Sequence, residues 1–276
     1  MNNINIKIYT SIKSELNKFG LFNLNKIEEY VNLTVENEND FKLKKDVAFD
    51  IITNLLVPHS KEILIQNLKE AAELEKNLQP YLSNLRDHSI HVLNTFLLGI
   101  YLSQKLNILV SPLKWKLCGL MHDIGYPIEL AKRIIEKNLS IISDIELKLF
   151  KNKVEEKFLI NFYSLKKLKL NKYTSLNLIS SRFRKWGLNV TSNEILKKNE
   201  FDHGIYSALI LLKFIDLLYY KNNPEKLENE CNEWSYKFYK NEIIDSITSI
   251  FLHNIRIKEE IDIDSKNHTL AYLLNL

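Results

Sequence analysis

The sequence predicts an all-α protein, and three observations carry that prediction. Only six glycines and five prolines punctuate 276 residues, too few turn residues for an all-β or Rossmann-like chain. Long segments rich in Leu, Ile, Lys, Glu and Asn set apolar residues at helical spacing. One apolar run, Leu117-Cys118-Gly119-Leu120-Met121, stops at His122-Asp123-Ile124-Gly125-Tyr126-Pro127. Ser111-Pro112 precedes it as an N-cap and first-turn pair, so a helix leads into the His-Asp step. At 45% hydrophobic and 26% charged residues, the chain suits one large domain or two unequal ones.

Composition also narrows the setting. Cys118 and Cys231 lie far apart without CxxC spacing, which fits a reducing compartment and argues against cysteine-held zinc. A net charge of +4 is compatible with a phosphate-bearing substrate and demands nothing. The first residues carry no apolar core of signal-peptide length. The apolar run at Leu209–Leu212 is soon broken by Lys213 and Asp216. The expectation is a cytoplasmic protein with no membrane partner.

Residues 1–80 read as an N-terminal helical accessory region. Ile8, Ile12, Leu16 and Phe19 recur at helical spacing and Gly20 ends that element. Ile27, Tyr30 and Val31 mark a second short helix, and Glu36-Asn37-Glu38-Asn39-Asp40 reads as a loop. A third helix starts at Val47 and stops at Pro58, leaving His59 in a surface loop. A charged amphipathic helix over 61–79 closes at Pro80. No chemistry is visible in this stretch, so an accessory or partner-binding layer is expected.

From Tyr81 the character changes. Residues 82–105 lack a breaker except Gly99 and are apolar nearly all round from Val92 to Leu102, the pattern of a helix buried on most faces. His88 and His91 lie three residues apart on that helix and share a face, with Arg86 and Asp87 beside them. The helix from Ser111 then delivers His122 and Asp123, an expensive pair to bury unless paired or coordinated. Two charged amphipathic helices follow over 128–160, with Lys132 and Arg133 just past the His-Asp step. The basic aromatic cluster Ser181-Arg182-Phe183-Arg184-Lys185-Trp186-Gly187 reads as a solvated face rather than a nucleic-acid site. Asp202 caps a helix that begins with His203, where a histidine finds no helix carbonyls to bond. A last apolar helix from about Glu242 ends at His253. The segment Thr269–Leu276 is an apolar helical start, expected to pack against the core or a second chain.

The order His88, His122-Asp123, His203, His253 resembles the HD-domain superfamily of metal-dependent phosphohydrolases. Asp87-His88-Ser89-Ile90-His91-Val92 is similar to the family's first motif, Gly119–Gly125 to its His-Asp signature, and Asp202–Ala208 to its third motif. The resemblance spans residues 81–276 and implies an HD-type helical core behind the N-terminal extension. It implies that His88, His122 and Asp123 hold one metal, and that His203 and His253 hold a second with Asp123 bridging. It assigns His91 to phosphate contact or support of the ligands rather than ligation. Imidazoles with a carboxylate suit one or two divalent ions of Mn, Fe, Co, Ni or Zn better than Mg or Ca. The implied activity is hydrolysis of a nucleotide or related phosphate ester; a nuclease would need a more extensive basic groove.

Two departures from the family stand out. Gly125-Tyr126-Pro127 is read as a helix stop, because the cyclic-dinucleotide phosphodiesterases carry that triplet in a later motif. The family's final Asp is missing where Leu270–Leu274 approaches it. Asp216 points nearly opposite to His203, about 220° round one helix, which leaves Asp262, Asp264 or a partner chain to supply the ligand. The alternative is an HD-fold regulatory or interaction module with a degenerate site.

Overall fold

The computed structural model describes residues 6–34, 36–56, 87–127, 129–130, 176–191, 202–221, 243–253 and 268–275, with positions 65, 68, 69, 71, 72, 75 and 266. Expectations for His59, Lys132, Arg133, Asp262, Asp264 and the side chain of Asp216 fall outside them. The protein is all-α, with no strand among the described residues. None of the described helices is long and apolar enough to cross a membrane.

The N-terminal helices are α1 (Ile6–Ile12), α2 (Leu24–Asn32) and α3 (Glu38–Leu56). The single element expected up to Gly20 is instead α1 followed by a 3₁₀ turn, Leu16–Phe19. Thr10 and Ser11 donate their hydroxyls back to Ile6 O and Ile8 O, an internal competition that loosens the end of a helix. Gly20 caps the turn at φ 82°, as its position predicts. The expected loop at 36–40 is also corrected, because α3 starts at Glu38. Its first turn carries Glu38 and Asp40, where negative charge meets the positive end of the helix dipole.

Helices α4 (His88–Lys105) and α5 (Pro112–Met121) form the centre, and α1 and α3 pack on α4. One continuous core joins Tyr9, Ile12, Tyr30 and Leu55 of the N-terminal helices to Phe96, Leu97, Trp115 and Leu120. Trp115, fully buried, donates its indole N–H to Phe96 O and so ties α5 to α4. Tyr30 reaches in from α2, its hydroxyl 2.7 Å from Asn94 Oδ1 and 3.2 Å from Ile90 O. Lys44 closes the same corner, donating to Leu33 O at the end of α2 while its ammonium sits 4.8 Å above the Tyr30 ring. Tyr30→Phe should cost about 1–3 kcal/mol, because Asn94 is buried and loses its donor. Equilibrium denaturation measures this, and an unchanged midpoint would refute the bond's importance.

Helices α6 (Leu176–Lys185), α7 (His203–Lys221), α8 (Ile244–Phe251) and α9 (Thr269–Asn275) complete the described fold. Helix α8 packs against α5, α6, α7 and α9. Asp245 of α8 binds Lys114 at 2.8 Å and Arg182 at 2.9 Å. The basic cluster is therefore only partly a solvated face. Arg184 and Lys185 are exposed, but Phe183 is fully buried and Arg182 is turned in to Asp245. In α9, Leu270, Ala271, Leu273 and Leu274 are buried, and the helix packs on α4, α5 and α8.

Candidate metal centre

Four imidazoles from four places in the chain converge on one carboxylate, that of Asp123. His91 comes from the first turns of α4, His122 and Asp123 from the end of α5, His203 from the first residue of α7, and His253 from the turn after α8. Asp123 is fully buried. His91 Nε2 lies 3.0 Å from its Oδ2. Nε2 of His203, His122 and His253 stand 3.2, 3.5 and 3.6 Å from its Oδ1. All four imidazoles thus present the same ring nitrogen to one aspartate.

Local structure explains the orientations. Pro112 starts α5 and His122 is its C-cap, so the His122 ring folds back and Nδ1 donates to Gly119 O at 3.0 Å. Asp202 caps α7, its Oδ1 accepting from the Gly204 and Ile205 amides. That leaves the His203 amide, which donates to Glu129 Oε2 at 3.1 Å, while His203 Nδ1 meets the same oxygen at 2.6 Å. With Nδ1 occupied on both His122 and His203, Nε2 is the atom that carries the lone pair in the neutral ring.

Gly125-Tyr126-Pro127 is not a simple stop. The chain turns through 122–125 and is helical again at 126–127 and 129–130. Gly125 allows this corner to lie flat on α7. An added Cβ would fall 2.5 Å from Tyr206 Cβ and 2.6 Å from the Ser207 amide nitrogen. The Gly125 amide donates to Ser207 Oγ at 2.8 Å. The corner brings Glu129 back to His203, and Tyr126 packs edge-on against the His203 ring. Glu129 was hidden in a stretch that reads as ordinary charged helix; no spacing rule singles it out.

The described ligand atoms form two groups sharing Asp123: His91, His122 and Asp123, and Asp123, His203 and His253, each with atoms within 4.8 Å of one another. His88 belongs to neither. It is the buried first residue of α4, and its amide donates to Glu75 Oε1 at 3.1 Å. The resemblance assigned His88 to the metal and His91 to support; the geometry brings His91 into the cluster.

The electrostatics fit a cation. Burial drives His122 well below the ordinary imidazole value, so its ring is neutral near pH 7. Burial would raise the Asp123 carboxyl, but His122, His203, His253 and His91 outweigh it and hold the group well below the usual carboxylate range. Burial also opposes a charge on His203, yet Asp123 and Glu129 together lift it to about 9. Among the described residues, buried His203 Nε2 has no partner of good hydrogen-bond geometry, although Asp123 Oδ1 is 3.2 Å away. A nitrogen and oxygen donor set around a buried, ionised carboxylate could hold a metal ion. Cys118 takes no part, because its thiol is buried and pushed up by that burial.

These shifts predict how the metal-free protein responds to pH. His203 has a raised folded value, so its stabilisation is full below about 6.5, declines as pH rises and is lost above about 9. His122 has a lowered folded value, so below about 6.5 the unfolded chain takes up its proton more readily and stability falls again. With these two groups dominant, the melting temperature in chelator should peak near pH 6.5. A melting temperature still climbing from pH 7 to 9 would contradict the His203 assignment.

Fold and cluster together define an all-α protein with a partly buried cluster of four histidines around one buried aspartate. No protein-family model, curated protein or solved structure matches the chain.

Proposed function

We propose that the protein is a metal-dependent phosphohydrolase or phosphodiesterase of HD type, acting on a nucleotide or a related phosphate ester. The observation that carries this reading is the sharing of Asp123 between two three-residue groups with ligand atoms within 4.8 Å. His91, His122 and Asp123 would hold one divalent transition metal, and Asp123, His203 and His253 a second. When bound, such ions lower the pKa of water and stabilise charge on the attacking and leaving oxygens of a phosphoryl group.

The chain's own residues supply the frame. Asp123 and His122 close the floor of the site, with side chains 0% and 1% exposed. His91 and His253 are more open, at 22% and 16%, and mark the edge from which a phosphate group would arrive. Glu129 and Gly119 O hold the two inner rings, so the donors need little rearrangement on binding.

The test is elemental analysis of the purified protein, then hydrolysis assays on a generic phosphodiester and a nucleotide panel. One or two equivalents of Mn, Fe, Co, Ni or Zn with hydrolysis of one substrate class supports the proposal. Bound metal without hydrolysis would favour a degenerate regulatory module, and a protein that takes up no metal would refute the reading.

Within this proposal His91 is a ligand and His88 is not. His91→Ala should lose metal from its group, whereas His88→Ala should keep the full complement and reduce stability. The reverse result would restore the assignment drawn from the motif alone.

A further inference from the structure

The contact between Glu129 and His203 does more than an N-terminal cap requires. Asp202 already satisfies the next two amides of α7, at Gly204 and Ile205. Glu129 is buried, and burying a carboxylate is costly without compensation. Its Oε2 takes both the His203 amide and His203 Nδ1, at 3.1 and 2.6 Å. One oxygen bonded to the backbone and to the ring of the same residue fixes that ring's torsions as well as its tautomer. The fixed ring directs Nε2 at Asp123 Oδ1. A second grip steadies the arrangement, because the Gly125 amide holds Ser207 Oγ one turn further along α7. The corner at 125–129 therefore clamps the first two turns of α7 at a backbone amide, an imidazole and a hydroxyl.

His122, the inner ring of the other group, is held differently. Its Nδ1 bonds a carbonyl of its own helix, Gly119 O. That support is local to α5 and owes nothing to Glu129. The two halves of the centre thus have separate outer supports, one neutral and local, the other anionic and delivered from residue 129.

We propose that Glu129 is a positioning residue for His203 and sets metal affinity in the Asp123–His203–His253 half of the centre, while the His91–His122–Asp123 half is independent of it. The inference rests on the metal-centre reading given under the proposed function. A carboxylate behind a ligating imidazole raises the basicity of that ligand, and losing such a support typically weakens metal binding 10–100-fold.

The test uses the full chain, stripped of metal and titrated with Co²⁺. Binding is followed by calorimetry and by the ligand-field absorption of the bound ion. Glu129→Gln is nearly isosteric and keeps an oxygen for both hydrogen bonds while losing the charge; Glu129→Ala removes the support altogether. The wild type is expected to take up two equivalents. In Glu129→Gln one equivalent should weaken about 10–100-fold, with its absorption spectrum altered and the other equivalent unchanged within twofold. Glu129→Ala should weaken that same equivalent further. A purely structural role would lower the melting temperature of the metal-free protein and leave Co²⁺ binding alone.

Binding of both equivalents by Glu129→Gln as in the wild type would overturn the proposal. So would parallel weakening of both, or a wild type with a single equivalent indifferent to Glu129→Gln. A wild type that binds no Co²⁺ would remove the metal-centre reading itself, and this inference with it.

Discussion

Asp123→Asn should empty both halves of the centre at once, whereas replacement of any one surrounding histidine should empty or weaken one. Asp123 is the residue common to the two groups, and each of its oxygens faces at least one imidazole nitrogen. Asparagine keeps the shape but surrenders the charge and one acceptor oxygen. Metal content should therefore fall from one or two equivalents to none, with helical content retained. If the protein hydrolyses phosphate esters as proposed, turnover should fall on the order of 10³-fold, the equivalent of about 4 kcal/mol of barrier at 1.36 kcal/mol per tenfold change. The double variant Asp123→Asn/His203→Ala should be no slower than Asp123→Asn alone, since both act through one site. Elemental analysis and the substrate panel check these outcomes together. An Asp123→Asn protein with full metal occupancy would show that the centre does not depend on its shared carboxylate.

Much of this centre was legible in the sequence, but unevenly. The break from apolar helix to His122-Asp123 and the cap at Asp202 could be read locally, because each follows from helix-end chemistry. That His91 rather than His88 faces Asp123 could not. Residues three apart share a helix face, but that periodicity says nothing about their height along the helix relative to a ligand on another element. His88 sits at the first residue of α4, beside Glu75, and His91 one turn further, level with Asp123. Nothing local marks Glu129, for a related reason. Its approach to His203 depends on the corner at Gly125, and that corner depends on a close contact with α7. The start of α3 is not marked locally, because a polar run resembles a loop until its acidic residues are weighed as a helix first turn. Local signals thus located helix ends, while tertiary contacts decided which side chains met.

Gly204→Ala should be among the most damaging single changes in the protein, although Gly204 is no ligand. On helix propensity alone the substitution in the first turn of α7 would stabilise, by less than the about 1 kcal/mol of a helix interior. The packing reverses that sign. A Cβ at residue 204 would lie 2.3 Å from His253 O and 2.8 Å from Ile250 O. Both are backbone atoms, Ile250 O in the last turn of α8 and His253 O in the turn after it, where the His253 amide already donates to Ile250 O. Neither can swing aside as a side chain would, so the two helix ends must separate. Overpacking of this kind costs about 1–3 kcal/mol and at times more, and here the displaced turn carries His253 away from Asp123. The expected result is a loss of about 2–3 kcal/mol of stability, together with loss of metal from the group containing His203 and His253. Gly187→Ala supplies the contrast. That glycine has φ 78° and nothing within 4 Å of an added Cβ, so backbone strain of about 1 kcal/mol should be its whole cost, with the metal complement intact. Denaturant unfolding and metal analysis of the two variants separate the effects. A Gly204→Ala protein as stable as the wild type and fully metallated would mean that the ends of α7 and α8 do not meet as closely as the packing requires.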